Sequence, residues 1–157
     1  MIGTVILTHG GVARELLAAV EKIVGKPEGF TAVCLEWDDE CAVAQEKILD
    51  AIHRVDSGAG VLVLTDTYGG TPCNLAMHFR ELGKVEVVSG VNLPMVVRLA
   101  CNGNCRPAEL EEIAAWLQDK ARQSIRVGGP EPAPPAVPPA SPPVAVAGAE
   151  AAVASGE

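Results

Sequence analysis

A histidine followed by two glycines, His9-Gly10-Gly11, closes the aliphatic run TVILT, and an aspartate, Asp66, closes a second such run, VLVLT. An imidazole and a carboxylate are a useful pair if the fold brings them together. A carboxylate that accepts the N–H of one ring nitrogen fixes the tautomer and leaves the other nitrogen's lone pair facing outward as a nucleophile. The same carboxylate stabilises the cation formed when that nitrogen is attacked or protonated. Small residues flank both groups: Gly10 and Gly11 on one side, Gly69, Gly70 and Thr71 on the other. They keep an approach clear, and where each pair leads into a helix they bring N-terminal backbone N–H groups close, an arrangement that favours a tetrahedral anion such as a phosphoryl group. Read together, these residues point to phosphate carried on a histidine. Taken singly, they have plainer readings: His9 as a strand-end residue bonded to backbone, Asp66 as a helix cap, the glycines as tight turns.

The pair meets only if the intervening elements place it. GTVILT reads as a strand and VARELLAAVEKIV as a helix with Val12, Leu16, Leu17, Val20, Ile23 and Val24 on one face. Gly25 and Pro27 stop that helix. FTAVCLEW is a second strand, after which Asp38 or Asp39 can cap a helix through CAVAQEKILDAIHRV. GVLVLTD is a third strand, apolar throughout as befits one covered on both faces. GGTPCNLAMHFREL follows as a helix with Thr71 as N-cap and Pro72 at the first helical position. KVEVVSG is a fourth strand, and NLPMVVRLACN and PAELEEIAAWLQDKAR give two more helices. Strands alternating with amphipathic helices predict an α/β fold: an open, mainly parallel four-stranded sheet of order 2-1-3-4 with helices on both faces. In that order the first and third strands are neighbours and the chain winds away from them in opposite directions. Ligands bind at the carboxyl ends of strands at such a switch point, where His9 and Asp66 both fall.

Composition narrows the function further. The formal net charge is −8 and the basic residues form no stripe, which argues against nucleic acid or an anionic membrane surface as partner. No stretch approaches a membrane span, and the N-terminus lacks the features of a secretory leader, so a cytoplasmic protein with no direct membrane insertion is expected. Cys34, Cys41, Cys73, Cys101 and Cys105 are odd in number and lack CxxC spacing, as expected of reduced thiols; Cys101 and Cys105 lack the further ligands a metal would need. No metal and no cofactor is expected. The P-loop and GxGxxG patterns are absent, and the first strand ends without the acidic residues a magnesium-dependent phospho-aspartate site requires. A phosphoryl group must then come from another protein or a small molecule. From Pro130 the chain holds eight of its twelve prolines and no basic residue. A globular domain is therefore expected over residues 1–128, with a Pro/Ala-rich tail or linker over 129–157. His53 and His78 read as surface or interface residues, and Trp37 and Trp116 as packing residues, Trp37 the nearer to the crevice. Cys73 opens a different class, a thiol enzyme pairing it with His9.

ILTHGG with its following helix, VLTDTYGGTPCNLA and SGVNLPMVVRL together resemble the IIA phosphocarrier domains of the mannose family of the phosphoenolpyruvate-dependent sugar phosphotransferase system. The resemblance runs from Ile2 to about Val127. It implies that His9 is phosphorylated by HPr and passes the group to a IIB component, in sugar uptake or its regulation. It also implies that Asp66 orients the imidazole and that Thr71 lies close to the phosphoryl group. Tyr68 stands where some members carry tryptophan, and Asn92 borders the crevice either as a helix cap or as part of the site frame. A homodimer is implied, with SIRV, Ser124 to Val127, as a short C-terminal edge strand exchanged between subunits. The phosphocarrier of a dihydroxyacetone-kinase-type system, which also uses a histidine after its first strand, is a neighbouring reading. A non-covalent sensor of a phosphate-bearing ligand is another.

Overall fold

The computed structural model describes residues 1–81, 83–101 and 109–129. The sheet consists of β1 (Gly3–His9), β2 (Phe30–Leu35), β3 (Val61–Thr65) and β4 (Val85–Ser89). Their order is β2-β1-β3-β4 and every pairing is parallel, as the alternation of strand and helix signals predicts. The helices are α1 (Val12–Val24), α2 (Cys41–Val55), α3 (Thr71–Met77), α4 (Leu93–Cys101) and α5 (Leu110–Ser124).

Strand periodicity divides the core into two layers. Val5, Leu7, Val61 and Val63 face α2 and α3, packing against Ala44, Ile48, Ile52, Leu75 and Ala76. Ile6, Leu62 and Leu64 point the other way, onto Val20 of α1, Met95 and Val96 of α4, and Ile113 and Leu117 of α5. β3 is buried along its whole length. Each large aliphatic residue so removed from water contributes about 1.5–3 kcal/mol, which makes β1 and β3 the rigid centre from which the site projects. On the edge strand β4 a charged residue is buried: Glu86 receives two hydrogen bonds from the Arg80 guanidinium, both at 3.0 Å.

Several local expectations need correction. α1 turns Ala13 inward with Val20, whereas Val12, Ile23 and Val24 are exposed. The buried Thr8 hydroxyl accepts the Ala13 N–H at 2.7 Å and so sets the rotation of the helix. α2 begins at Cys41 after Glu40, without a side-chain cap; Asp39 bonds elsewhere. α3 is short, with Gly70 at the N-cap position and Thr71 already helical, because the chain leaves the α-helix through i→i−3 bonds at His78, Phe79 and Arg80. The SIRV segment adds no strand to the sheet of this chain. Ser124 ends α5, and Ile125 continues in an extended conformation with its side chain in solvent. The compact unit that holds the sheet is Met1–Arg126.

Candidate functional site

His9 is the last residue of β1, and Asp66 directly follows β3. Leu7 pairs with Thr65 in the register of these strands, which sets His9 and Asp66 side by side. The Asp66 carboxylate takes hold of His9 twice through one oxygen, accepting its backbone N–H at 3.0 Å and ring Nδ1 at 2.9 Å. The other oxygen accepts the Thr67 N–H at 2.8 Å. With Nδ1 as the donor, Nε2 keeps its lone pair and is the nitrogen left for chemistry. Partial burial pushes the Asp66 carboxyl upward, but the hydrogen bonds from the His9 backbone, the His9 ring and Thr67 together outweigh it and hold its pKa below the usual carboxylate value.

The glycines act at this site in two ways. Gly10 and Gly69 take φ values of +50° and +76°, a region that other residues enter only under strain, and so turn the chain sharply after His9 and before α3. Gly70 has an ordinary backbone conformation, and its role is proximity. A Cβ there would lie 2.9 Å from His9 Cε1 and 3.5 Å from Nε2. Gly11 sits at the N-cap of α1, where a Cβ would meet only the Arg14 guanidinium.

On its face the imidazole stacks against Trp37, with ring centroids 5.3 Å apart and planes 21° from parallel. This contact was not foreseen. The signal for it lay in strand register: His9 is opposite Leu35 in β2, and Trp37 comes two residues later. A cavity of about 150 Å³ beside the ring is lined by His9, Trp37, Cys41, Thr71 and Leu75 among others.

The remaining candidates fall around this centre. Tyr68 and Thr71 are exposed on the segment that follows Asp66. Asn92 caps α4, its side-chain oxygen accepting the Met95 N–H at 3.0 Å. Its loop is stitched to the site through backbone, Gly90 N–H donating to the Asp66 carbonyl. Cys73 is buried and lines a different cavity, with Tyr68, Met77 and Val87, so the structure does not assemble a Cys73–His9 pair. His53 and His78 are exposed. Trp116 packs against the α1, α4 and α5 core layer. Cys105 lies outside the described residues. Among the described residues no group of three or more histidines, cysteines and acids is placed to hold a metal ion, and no helix is long and apolar enough to cross a membrane.

Comparison with known proteins gives the family and the fold. The family model described as PTS system fructose IIA component matches residues 3–115. The mannose-specific EIIAB component of Escherichia coli K12 is 30% identical over 126 residues, which are 80% of this chain and 39% of that protein. The chain thus spans about two-fifths of that relative. The putative phosphotransferase enzyme IIA component YadI of the same organism is 34% identical over 114 residues, 71% of this chain and 78% of its own length. Among solved structures, the mannose/sorbose specific IIA subunit of the phosphotransferase system from Enterococcus faecalis superposes with a TM-score of 0.71 at 28% identity, covering 83% of this chain and 97% of that one.

Proposed function

Because the chain belongs to the family of PTS system fructose IIA components, we propose that it is a phosphohistidine carrier that accepts a phosphoryl group from HPr on His9 Nε2 and delivers it to a IIB component. The observation that carries this reading is the contact of His9 Nδ1 with the Asp66 carboxylate at 2.9 Å, which leaves Nε2 as the nucleophile. In the forward step the Nε2 lone pair attacks phosphorus, a P–N bond forms, and the bond to the donor's nitrogen breaks with its electron pair leaving on that nitrogen. The Nδ1 proton stays on the ring, held by Asp66. Transfer to the IIB component is the same exchange with His9 as leaving group. Carboxylate stabilisation of the charged ring lowers the transition state that both directions share and lowers the phosphorylated state with it, because the ring's positive charge builds as the P–N bond forms.

Gly10, Gly11, Gly69, Gly70 and Thr71 provide a small-residue surface around Nε2 on which the phosphoryl group rests, with Tyr68 and Asn92 at the rim. Residues 129–157 serve as a tail or linker to the carrier domain. SIRV, Ser124 to Val127, whose Ile125 is extended, is the segment available for exchange in a homodimer, where it would cover a sheet edge. Sugar transport and its regulation use the same chemistry at this site.

The test is intact-mass analysis after incubation with phosphoenolpyruvate, enzyme I and HPr, beside His9→Ala. A single phosphoryl adduct, stable in base, labile in acid and missing from the variant, is expected. No adduct with carriers from the same source would refute the reading.

A further inference from the structure

We propose that Trp37 is a positioning residue for His9: its indole holds the imidazole by the face, with Nε2 directed outward, and stabilises the positive charge the ring acquires as Nε2 is phosphorylated. The role in transfer rests on the phosphocarrier reading above.

Trp37 is 86% exposed, so burial of apolar surface does not account for its position. What it does contact is the catalytic ring, at 5.3 Å and nearly parallel. The turn that carries it is fixed from both ends. On the strand side, the Leu35 carbonyl accepts the Gly10 N–H at 2.8 Å, tying the end of β2 to the residue after His9. On the helix side, Asp39 accepts the Glu36 N–H at 3.0 Å and both its oxygens accept Lys47 Nζ of α2, at 2.6 and 2.7 Å. Trp37 lies between these anchors and is presented to the ring by a braced turn.

Three elements therefore confine one imidazole. Asp66 holds the Nδ1 edge, Gly70 stands beside the Cε1 edge, where even a Cβ would come within 2.9 Å, and the indole covers a face. Rotation about the terminal side-chain bond, broad for a free histidine, is blocked in the directions that would hide Nε2. As the P–N bond forms, Nε2 contributes both electrons of its lone pair, Nδ1 keeps its proton, and the ring carries positive charge next to a π face. Tryptophan is the best aromatic partner for a cation, and an exposed contact of this kind corresponds to about a two- to fivefold effect on an equilibrium or rate.

The experiment separates positioning from docking by using a donor without a protein surface. Wild type, Trp37→Ala and Trp37→Phe are phosphorylated with phosphoramidate and, in parallel, with phospho-HPr, and the His9 Hε1 resonance is followed by NMR in the unphosphorylated proteins. The expected result is an upfield ring-current shift of Hε1 in wild type that is lost in Trp37→Ala, with phosphoramidate labelling about two- to fivefold slower in Trp37→Ala and partly rescued in Trp37→Phe. Equal labelling rates with phosphoramidate would overturn the proposal, and a defect confined to phospho-HPr would make Trp37 a docking residue instead. A wild-type protein that takes phosphate from neither donor refutes the phosphocarrier reading and the transfer role of Trp37 with it. An intact Hε1 shift would then show that the stack itself had formed.

Discussion

Replacing Gly70 by alanine tests the idea that His9 is held in one place. The backbone at Gly70, with φ −71° and ψ 165°, is one that alanine adopts freely, so the substitution adds a methyl group and little else. That methyl would sit 2.9 Å from His9 Cε1, whereas carbon atoms rest about 3.5–4.0 Å apart. The ring must retreat by about 0.6–1 Å, and the Nδ1 contact to Asp66, now 2.9 Å, would be strained toward the limit of a hydrogen bond. Misplacement on that scale costs on the order of 10²-fold in rate, about 2.7 kcal/mol in barrier. Stability should respond far less: losing glycine from the unfolded chain gains about 0.4–1 kcal/mol, which offsets part of the local strain. The assay pairs initial phosphorylation rates with urea unfolding. A rate near wild type would refute the reasoning, since the ring would then have room to spare. Slow phosphorylation with a collapsed unfolding midpoint would refute it differently, by showing that the methyl disturbs the backbone near the Thr67 carbonyl, 3.3 Å from the same point.

Two further substitutions probe the supports of the ring. Asp66→Asn leaves one acceptor oxygen where the carboxylate receives three N–H groups, and should cost about 1–3 kcal/mol at neutral pH. Because the folded pKa of Asp66 is depressed, its contribution to stability is complete above the unfolded value near 3.8 and is lost as pH falls through the lower folded value. Urea midpoints measured from pH 2 to 7 should therefore show a shallower acid limb in Asp66→Asn, and an unchanged limb would contradict the assignment. Thr8→Val keeps the shape of a buried side chain but leaves the Ala13 N–H without its 2.7 Å acceptor, predicting about 1–3 kcal/mol of destabilisation by urea unfolding. A neutral result would mean that the start of α1 is positioned by packing alone.

The His9–Asp66 pair was legible because parallel topology is restrictive. Once strands and helices alternate, the carboxyl ends of all strands lie on one side, and the order 2-1-3-4 makes β1 and β3 neighbours. Two residues far apart in the chain then have little choice but to meet. The contacts made by turns were less accessible. Asp39 looked like a helix cap because the residue type favours caps, yet it braces its own turn and binds Lys47, which lies two helical turns away. Thr71 looked like an N-cap for the same reason, but the tight turn at Gly69 starts the helix one residue earlier. Helix phase was hard to read because a single hydrogen bond, from Ala13 to Thr8, rotates the start of α1 so that Ala13 and not Val12 faces the core. SIRV has strand-like composition but no strand partner within the chain's own sheet, and extended backbone without a partner is not a strand.

A site that both accepts and donates a phosphoryl group is constrained in a way the geometry of His9 meets. Tight binding of the phosphorylated state would speed loading and then hold the group back, because any stabilisation of that ground state raises the barrier to delivery by the same amount. Contacts that stabilise the ring's positive charge carry part of this penalty, since that charge is fullest in the phosphorylated state, but they leave the phosphoryl oxygens free, and the three groups around His9 are of this kind: a carboxylate at Nδ1, Gly70 beside Cε1 and an indole on the face. None of them encloses Nε2. A Cβ at Gly70 would come within 3.5 Å of it, the exposed Thr71 lines the same cavity as the ring, and among the described residues no arginine or lysine forms an ion pair with Asp66 or a hydrogen bond with His9. Adding such a cation, for example by Thr71→Arg, should therefore speed loading from HPr and slow delivery to a IIB acceptor. Single-turnover rates in the two directions would show the split, and equal acceleration of both would mean that the added charge acts on the transition state and that open surroundings are not what would suit this site to the proposed carrier role.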